Sequence, residues 1–212
     1  MDVLAQARPE HSVLGEEWAS ERDGHWSGSV AWKQPTWVID PIDHTRHFIR
    51  RNPEFGTLIA LVEGGDTKIG VVSAPALRHR WWAKRGGGAW KDGASMRTSH
   101  LRNISEAYVS VAGHVEWVNL QLWDGITTIL NSCSYAAGSP GGFLELMKVA
   151  EGLTDVFLEP WGKIWDHLAP ALIVREAGGR TATLDGRVPF GGSILATNKY
   201  LYDDVRSLIH RS

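Results

Sequence analysis

Asp40 and Asp43 stand three residues apart at the end of the apolar run Trp37-Val38-Ile39, with Pro41 and Ile42 between them. Two carboxylates at a strand end, with the Ile42 carbonyl between them, form a set of hard oxygens, the donors that suit Mg²⁺. Trp37 to Ile39 favour a buried strand, and Pro41 cannot donate to a strand ladder, so the chain is expected to turn there. The pyrrolidine ring also stiffens the turn, so the two carboxylates lose little further entropy on converging. Thr45 reads as the N-cap of a short helix over Arg46 to Arg50, whose first N–H groups can meet a phosphate. The same stretch also fits a plain Asp-Pro turn followed by a capped helix.

Further carboxylates sit at comparable places. Glu16 and Glu17 follow the strand-like run Val13-Leu14-Gly15 and, taken alone, read as a solvated pair. Ile164-Trp165-Asp166 opens the segment His167 to Ala177, whose apolar residues recur with helical spacing before Gly178-Gly179. Asp166 alone reads as a helix cap. Cys133 lacks a neighbouring glycine loop to cradle an anion and reads as a small apolar filler, which argues against cysteine-based phosphate chemistry.

Positioning these groups falls to two kinds of pattern. In the first half, strands over Phe55 to Val62 and Lys68 to Ala74 are joined by a Gly64-Gly65-Asp66 turn and followed by a strand over Arg80 to Lys84, giving a meander. Gly24 to Gln34 is polar and reads as an exposed loop, and Gly86-Gly87-Gly88 and Asp92-Gly93 close this half. From Ile104 the pattern alternates: strand Ala107 to Val111, helices Val115 to Leu130 and Gly142 to Ala150, strand Asp155 to Leu158, helix Asp166 to Ala177, strands Arg180 to Leu184 and Ser193 to Thr197, and helix Lys199 to His210. Residues 1–103 are expected to form an α+β half and 104–212 an α/β half of a single catalytic unit, with the active site between them.

Composition limits the alternatives. A net charge of −2 over 212 residues gives no bulk attraction to nucleic acid. No apolar run approaches the roughly 18 residues of a membrane span, and a single cysteine excludes an internal disulfide. The first residues carry no leader pattern, so the expected location is cytoplasmic. Most of the eleven tryptophans are expected to fill cores or interfaces, while Trp161 and Trp165, which lie between the carboxyl-bearing Glu159 and Asp166, are candidates to wall a pocket.

Taken together, the Gly15-Glu16-Glu17 box, the Asp40-Pro41-Ile42-Asp43-His44-Thr45 box with Phe48 beyond it, and the Trp165-Asp166 box leading to Arg175-Glu176-Ala177-Gly178-Gly179 resemble the inositol monophosphatase family. The resemblance covers nearly the whole chain. Phe55 to Leu61, Gly70 to Leu77 and Arg80 to Ala83 look most like its actinobacterial histidinol-phosphatase branch. It implies a layered αβαβα sandwich and a Mg²⁺-dependent phosphomonoesterase, with two or three ions and inhibition by Li⁺. It places Glu16, Asp40, the Ile42 carbonyl, Asp43 and Asp166 on metal ligands, and Glu16 and Thr45 beside the attacking water. Asp43, His44, Thr45, Gly141, Glu159 and Asp166 fall on the substrate side. The implied partner is a small phosphorylated metabolite, most readily histidinol phosphate of histidine biosynthesis, with inositol 1-phosphate or another sugar phosphate as the alternative and a homodimer as the possible assembly.

The departures from the family are specific. His44 stands where the family normally has glycine, so its imidazole either swings out, meets the phosphate or metal, or blocks the site. Leu168 occupies a position usually held by alanine or cysteine, and its extra volume threatens to displace Asp166. Gly141-Gly142 replaces a segment that often carries a Gly-Asp pair. Only Met1 to Arg8 precede Pro9, where relatives carry further helices, so the fold is expected to lack its first helices and to leave apolar surface uncovered. These departures support a second reading, a catalytically impaired relative.

Overall fold

Along β3 (Gly56–Glu63), Leu58, Ala60 and Val62 are buried in alternation with more open residues, the period of a strand with one face on a core. The computed structural model describes residues 2–18, 32–187 and 191–209, so most of the expected loop Gly24 to Gln34 lies outside the described residues. Before β3 come α1 (Asp2–Ala7), β1 (Ser12–Gly15), β2 (Thr36–Asp43) and α2 (Thr45–Ile49). After it come β4 (Asp66–Ala74), β5 (His79–Lys84), β6 (Ala89–Lys91) and β7 (Ala94–Met96). These strands form a seven-stranded sheet in the order β1-β2-β3-β4-β5-β6-β7, antiparallel except for the parallel β1–β2 pair. The β3–β4 hairpin turns at Gly64 and Gly65, both at positive φ as a tight hairpin turn requires.

The second half supplies β8 (Tyr108–Ala112), α3 (His114–Asn119), α4 (Trp123–Ser132), β9 (Tyr135–Ser139), α5 (Phe143–Ala150), β10 (Val156–Glu159), α6 (Ile164–Glu176), β11 (Gly179–Ala182), β12 (Ile194–Asn198) and α7 (Tyr202–Ile209). Its five-stranded sheet runs β11-β12-β10-β8-β9. One core joins the first sheet to α5, α6 and residues of the second sheet; the other gathers Trp117, Ile126 and Ile129 with Leu201 and Val205 against the far face. Nearly every residue of α6 from Ile164 to Val174 is buried, as expected of a helix between two layers.

Several expectations are corrected. Pro41 bulges the strand rather than ending it: Asp40 pairs with Leu58 and Asp43 with Gly56, so β2 resumes beyond the proline. The long helix expected over Val115 to Leu130 is two, because Gln121 takes φ 57 and reverses the chain; Trp123 then packs edge-on against His114. β6, β7 and the exposed edge strand β9 had no sequence expectation.

Candidate metal centre and active site

The register of β1 on β2 pairs Gly15 with Ile39, which delivers Glu16, just past the end of β1, beside Asp40. The bulge at Pro41 lets Asp40 and Asp43 approach from one strand, and the first turn of α6 brings Asp166. Ligand atoms of Asp40, Asp43 and Asp166 lie within 4.8 Å of one another. Glu16 is exposed but comes within hydrogen-bonding reach of Asp40. Among the described residues, no lysine or arginine side chain forms an ion pair with any of the four.

Backbone donors set the direction of each of the three aspartates. Ile42 N–H donates to Asp40 Oδ1 at 3.0 Å, and His44 N–H to Asp43 Oδ1 at 2.9 Å. Asp43 Oδ2 accepts from Phe143 N–H at 3.2 Å, and Asp166 Oδ2 from Lys163 N–H at 2.6 Å. Asp166 is therefore the third residue of a helix that begins at Ile164, its carboxylate accepting from the N–H of the N-cap residue Lys163, rather than being the cap itself. Thr45 is likewise the first helical residue and no cap: with His44 left-handed at φ 64, ψ 45 the helix starts early, and Thr45 Oγ1 donates to the Ile42 carbonyl at 2.9 Å.

Burial and mutual repulsion push these carboxyls up together. Asp40 is raised to about 9, chiefly by burial and then by Asp43, Asp166 and Glu16. Asp166 is raised to about 7 by burial and then by Asp43; Asp43 and Glu16 are also raised, with burial the largest cause. Such a cluster is unfavourable alone and is relieved by cations among hard oxygens, so the residues present fit Mg²⁺.

Gly141 and Gly142 lie across the other side. Gly142 N–H donates to Glu159 Oε1 at 3.1 Å, and a side chain on Gly141 would collide with that carboxylate. Glu159 is only 5% exposed, and its Oε2 stands 3.8 Å from Nε2 of the buried His167. The His44 ring lies between the Glu54 carbonyl, 3.0 Å from its Nδ1, and Gly142, over which its Nε2 stands. Leu168 points into the first core, and Asp166 keeps its place in the cluster. Trp165 is buried in that core, whereas Trp161 is exposed and covers Gly113. Cys133 is half-buried, and burial pushes its thiol up. Sequence reasoning missed the donors Phe143 and Lys163, whose role lies in backbone N–H groups; the Lys163-x-x-Asp166 spacing was the one available sign.

The sequence profile of the inositol monophosphatase family matches residues 1–211. The chain is 39% identical to histidinol-phosphatase of Mycobacterium tuberculosis, over 96% of this chain and 77% of that protein. It is 37% identical to histidinol-phosphatase of Streptomyces coelicolor, over 98% of this chain and 78% of that protein. Among solved structures it superposes on extragenic suppressor protein SuhB of Bartonella henselae with a TM-score of 0.85 and 26% identity, covering 100% of this chain and 80% of that one. The chain belongs to the inositol monophosphatase family and is a phosphoric monoester hydrolase of that family.

Proposed function

We propose that the chain hydrolyses a small phosphate monoester in a Mg²⁺-dependent reaction, with histidinol phosphate as substrate. The observation that carries this reading is the convergence of Asp40, Asp43 and Asp166 within 4.8 Å, with carboxyls raised as far as about 9. The kinship to two proteins named histidinol-phosphatase supports the choice of substrate. A second substrate, inositol 1-phosphate, is favoured by the 33% identity to the fructose-1,6-bisphosphatase/inositol-1-monophosphatase of Aquifex aeolicus.

Asp40, Asp43 and Asp166, with Glu16 and the Ile42 carbonyl, would hold the ions, which supply positive charge that acidifies a water and neutralises phosphate oxygens. The chain's own residues do the rest. Ile42, His44, Phe143 and Lys163 hold the carboxylates in place through backbone N–H groups, so little reorganisation accompanies substrate arrival. Glu16, with its raised carboxyl, is suited to accept the proton of the attacking water, and Thr45 keeps its hydroxyl on the Ile42 carbonyl three residues before it. Water attacks phosphorus, the ester P–O bond breaks, and the alcohol leaves with a proton.

Phosphate release from histidinol phosphate and inositol 1-phosphate, with and without Mg²⁺, tests the reading. Turnover that requires Mg²⁺, is inhibited by Li⁺ and is abolished by Glu16→Gln is expected. Absence of turnover on both esters would sink it.

A further inference from the structure

The C-terminal end of α6 carries a cation without a carboxylate. Arg175, in the last turn of the helix, is half-buried and donates through Nη1 to the Thr181 hydroxyl of β11 at 3.0 Å; among the described residues it forms no ion pair. Burial disfavours its positive charge, and the like charge of Arg85 disfavours it further. The carboxylates nearby are committed elsewhere. Asp66 pairs through Oδ2 with the Lys68 ammonium at 3.2 Å and through Oδ1 with Arg85. Glu176 accepts from Gly86 N–H at 2.9 Å and from Gly88 N–H at 3.0 Å, one bond to each of its oxygens. Setting Lys68, Arg85 and Arg175 against Asp66 and Glu176 leaves one positive charge over.

A cavity of about 310 Å³ opens on these groups, lined by Thr67, Arg85, Leu172, Arg175 and Thr181 together with the two carboxyl-bearing residues. It lies where β4 of the first sheet, the turn after β5 and β11 of the second sheet meet α6. The Thr181 hydroxyl oxygen accepts from Arg175 and keeps its own proton to donate. Asp166 stands nine residues earlier on the same helix, about 14 Å along its axis, so the cavity is separate from the metal corner.

We propose that this cavity is a second anion site, which takes a compact oxyanion, the carboxylate or phosphate group of a small metabolite, between the guanidinium groups of Arg85 and Arg175. A guanidinium presents paired N–H donors that match two oxygens of one anion, and an anion between the two arginines replaces their repulsion by attraction. The volume suits a small ligand. Because the walls come from both sheets and from α6, the bound anion also ties the two halves together, and a ligand held by the native state alone stabilises it.

Calorimetric titration of the full chain in Mg²⁺ with inorganic phosphate, at an ionic strength held constant with chloride, tests the proposal. Arg175→Gln keeps a donor for Thr181 and loses the guanidinium. It is expected to lose one phosphate-binding event of the wild type, or to weaken it about tenfold or more, the scale of hydrogen bonds to a charged group, with kcat on a phosphate ester unchanged. Equal phosphate counts and affinities in wild type and Arg175→Gln overturn the proposal. Should Arg175→Gln fail to fold, Arg85→Gln, at an exposed position, is judged by the same criterion. The outcome does not depend on the phosphatase reading: if the metal corner binds no phosphate, the wild type shows a single event, and its loss in Arg175→Gln still supports the second site. Acetate added as a competitor separates the two sources. Displacement of the Arg175-dependent phosphate by acetate assigns the site to carboxylates as well, and retention of that phosphate assigns it to phosphate groups.

Discussion

Four carboxylates, Glu16, Asp40, Asp43 and Asp166, share one corner of the molecule, and each has its proton held more tightly than an ordinary acid. In the cation-free protein the native state therefore binds more protons than the unfolded chain between about pH 4 and about pH 9, the latter set by Asp40. Stability from these groups is complete below the ordinary carboxylate range and is lost as pH rises through the raised values. Thermal midpoints in EDTA are expected to fall from pH 5 to 9, with Mg²⁺ restoring most at the alkaline end; a flat profile would contradict this. Asp40→Asn removes part of the repulsion, so it is expected to stabilise the cation-free protein by on the order of 1–3 kcal/mol while lowering phosphate release about a hundredfold or more. Denaturant titration and a phosphate assay read the two effects. Asp40 and Asp43 were legible as a hard-oxygen pair from residue type and spacing, whereas Glu16 and Asp166, which alone read as a solvated residue and a helix cap, joined them only through the family resemblance. The donors that aim them were not legible, because Phe143 reaches Asp43 only after segments a hundred residues apart have packed.

At the scale of elements, the strands of the first sheet follow from alternation and turn chemistry, and their meander was legible from Phe55 to Lys84. The helix pair α3–α4 was not, because Gln121, whose left-handed backbone separates them, is not a residue type that signals such a break. β9 escaped notice because Tyr135-Ala136-Ala137-Gly138-Ser139 has no β-branched residue; its pairing with β8 identifies it. Close approach between elements gives a sharper expectation. A β-carbon at Gly70 on β4 would stand 2.7 Å from the Ala169 carbonyl oxygen of α6. Gly70→Ala is expected to cost about 1–3 kcal/mol by overpacking, whereas Gly138→Ala on β9, with open space around it, stays within about 0.5 kcal/mol. Urea unfolding of the two variants measures the contrast.

For the whole molecule, the layered sandwich and the single unit were expected through the family resemblance that the motif boxes carry, but which residues join the two halves was not legible. The first core draws Val38 and Leu58 from one half and Phe157 and Ala196 from the other, with α6 between them. We expect the halves to unfold together, with coincident calorimetric and far-UV circular dichroism transitions; two separated transitions would refute this. Among the described residues no helix is long and apolar enough to cross a membrane.

Phe143 links this core to the metal corner. Its N–H holds Asp43, and its ring lies 6.4 Å from the indole of Trp81, which is 1% exposed, donates to Glu151 at 2.6 Å and has the Lys91 ammonium 5.3 Å from its ring centre. A dry indole beside a fixed cation is an emitter whose colour responds to small changes in local field. One aromatic ring separates it from the buried carboxylate of Asp43. Mg²⁺ binding at the cluster is therefore expected to shift tryptophan emission by a component that disappears in Trp81→Phe, and an identical shift in that variant would refute this.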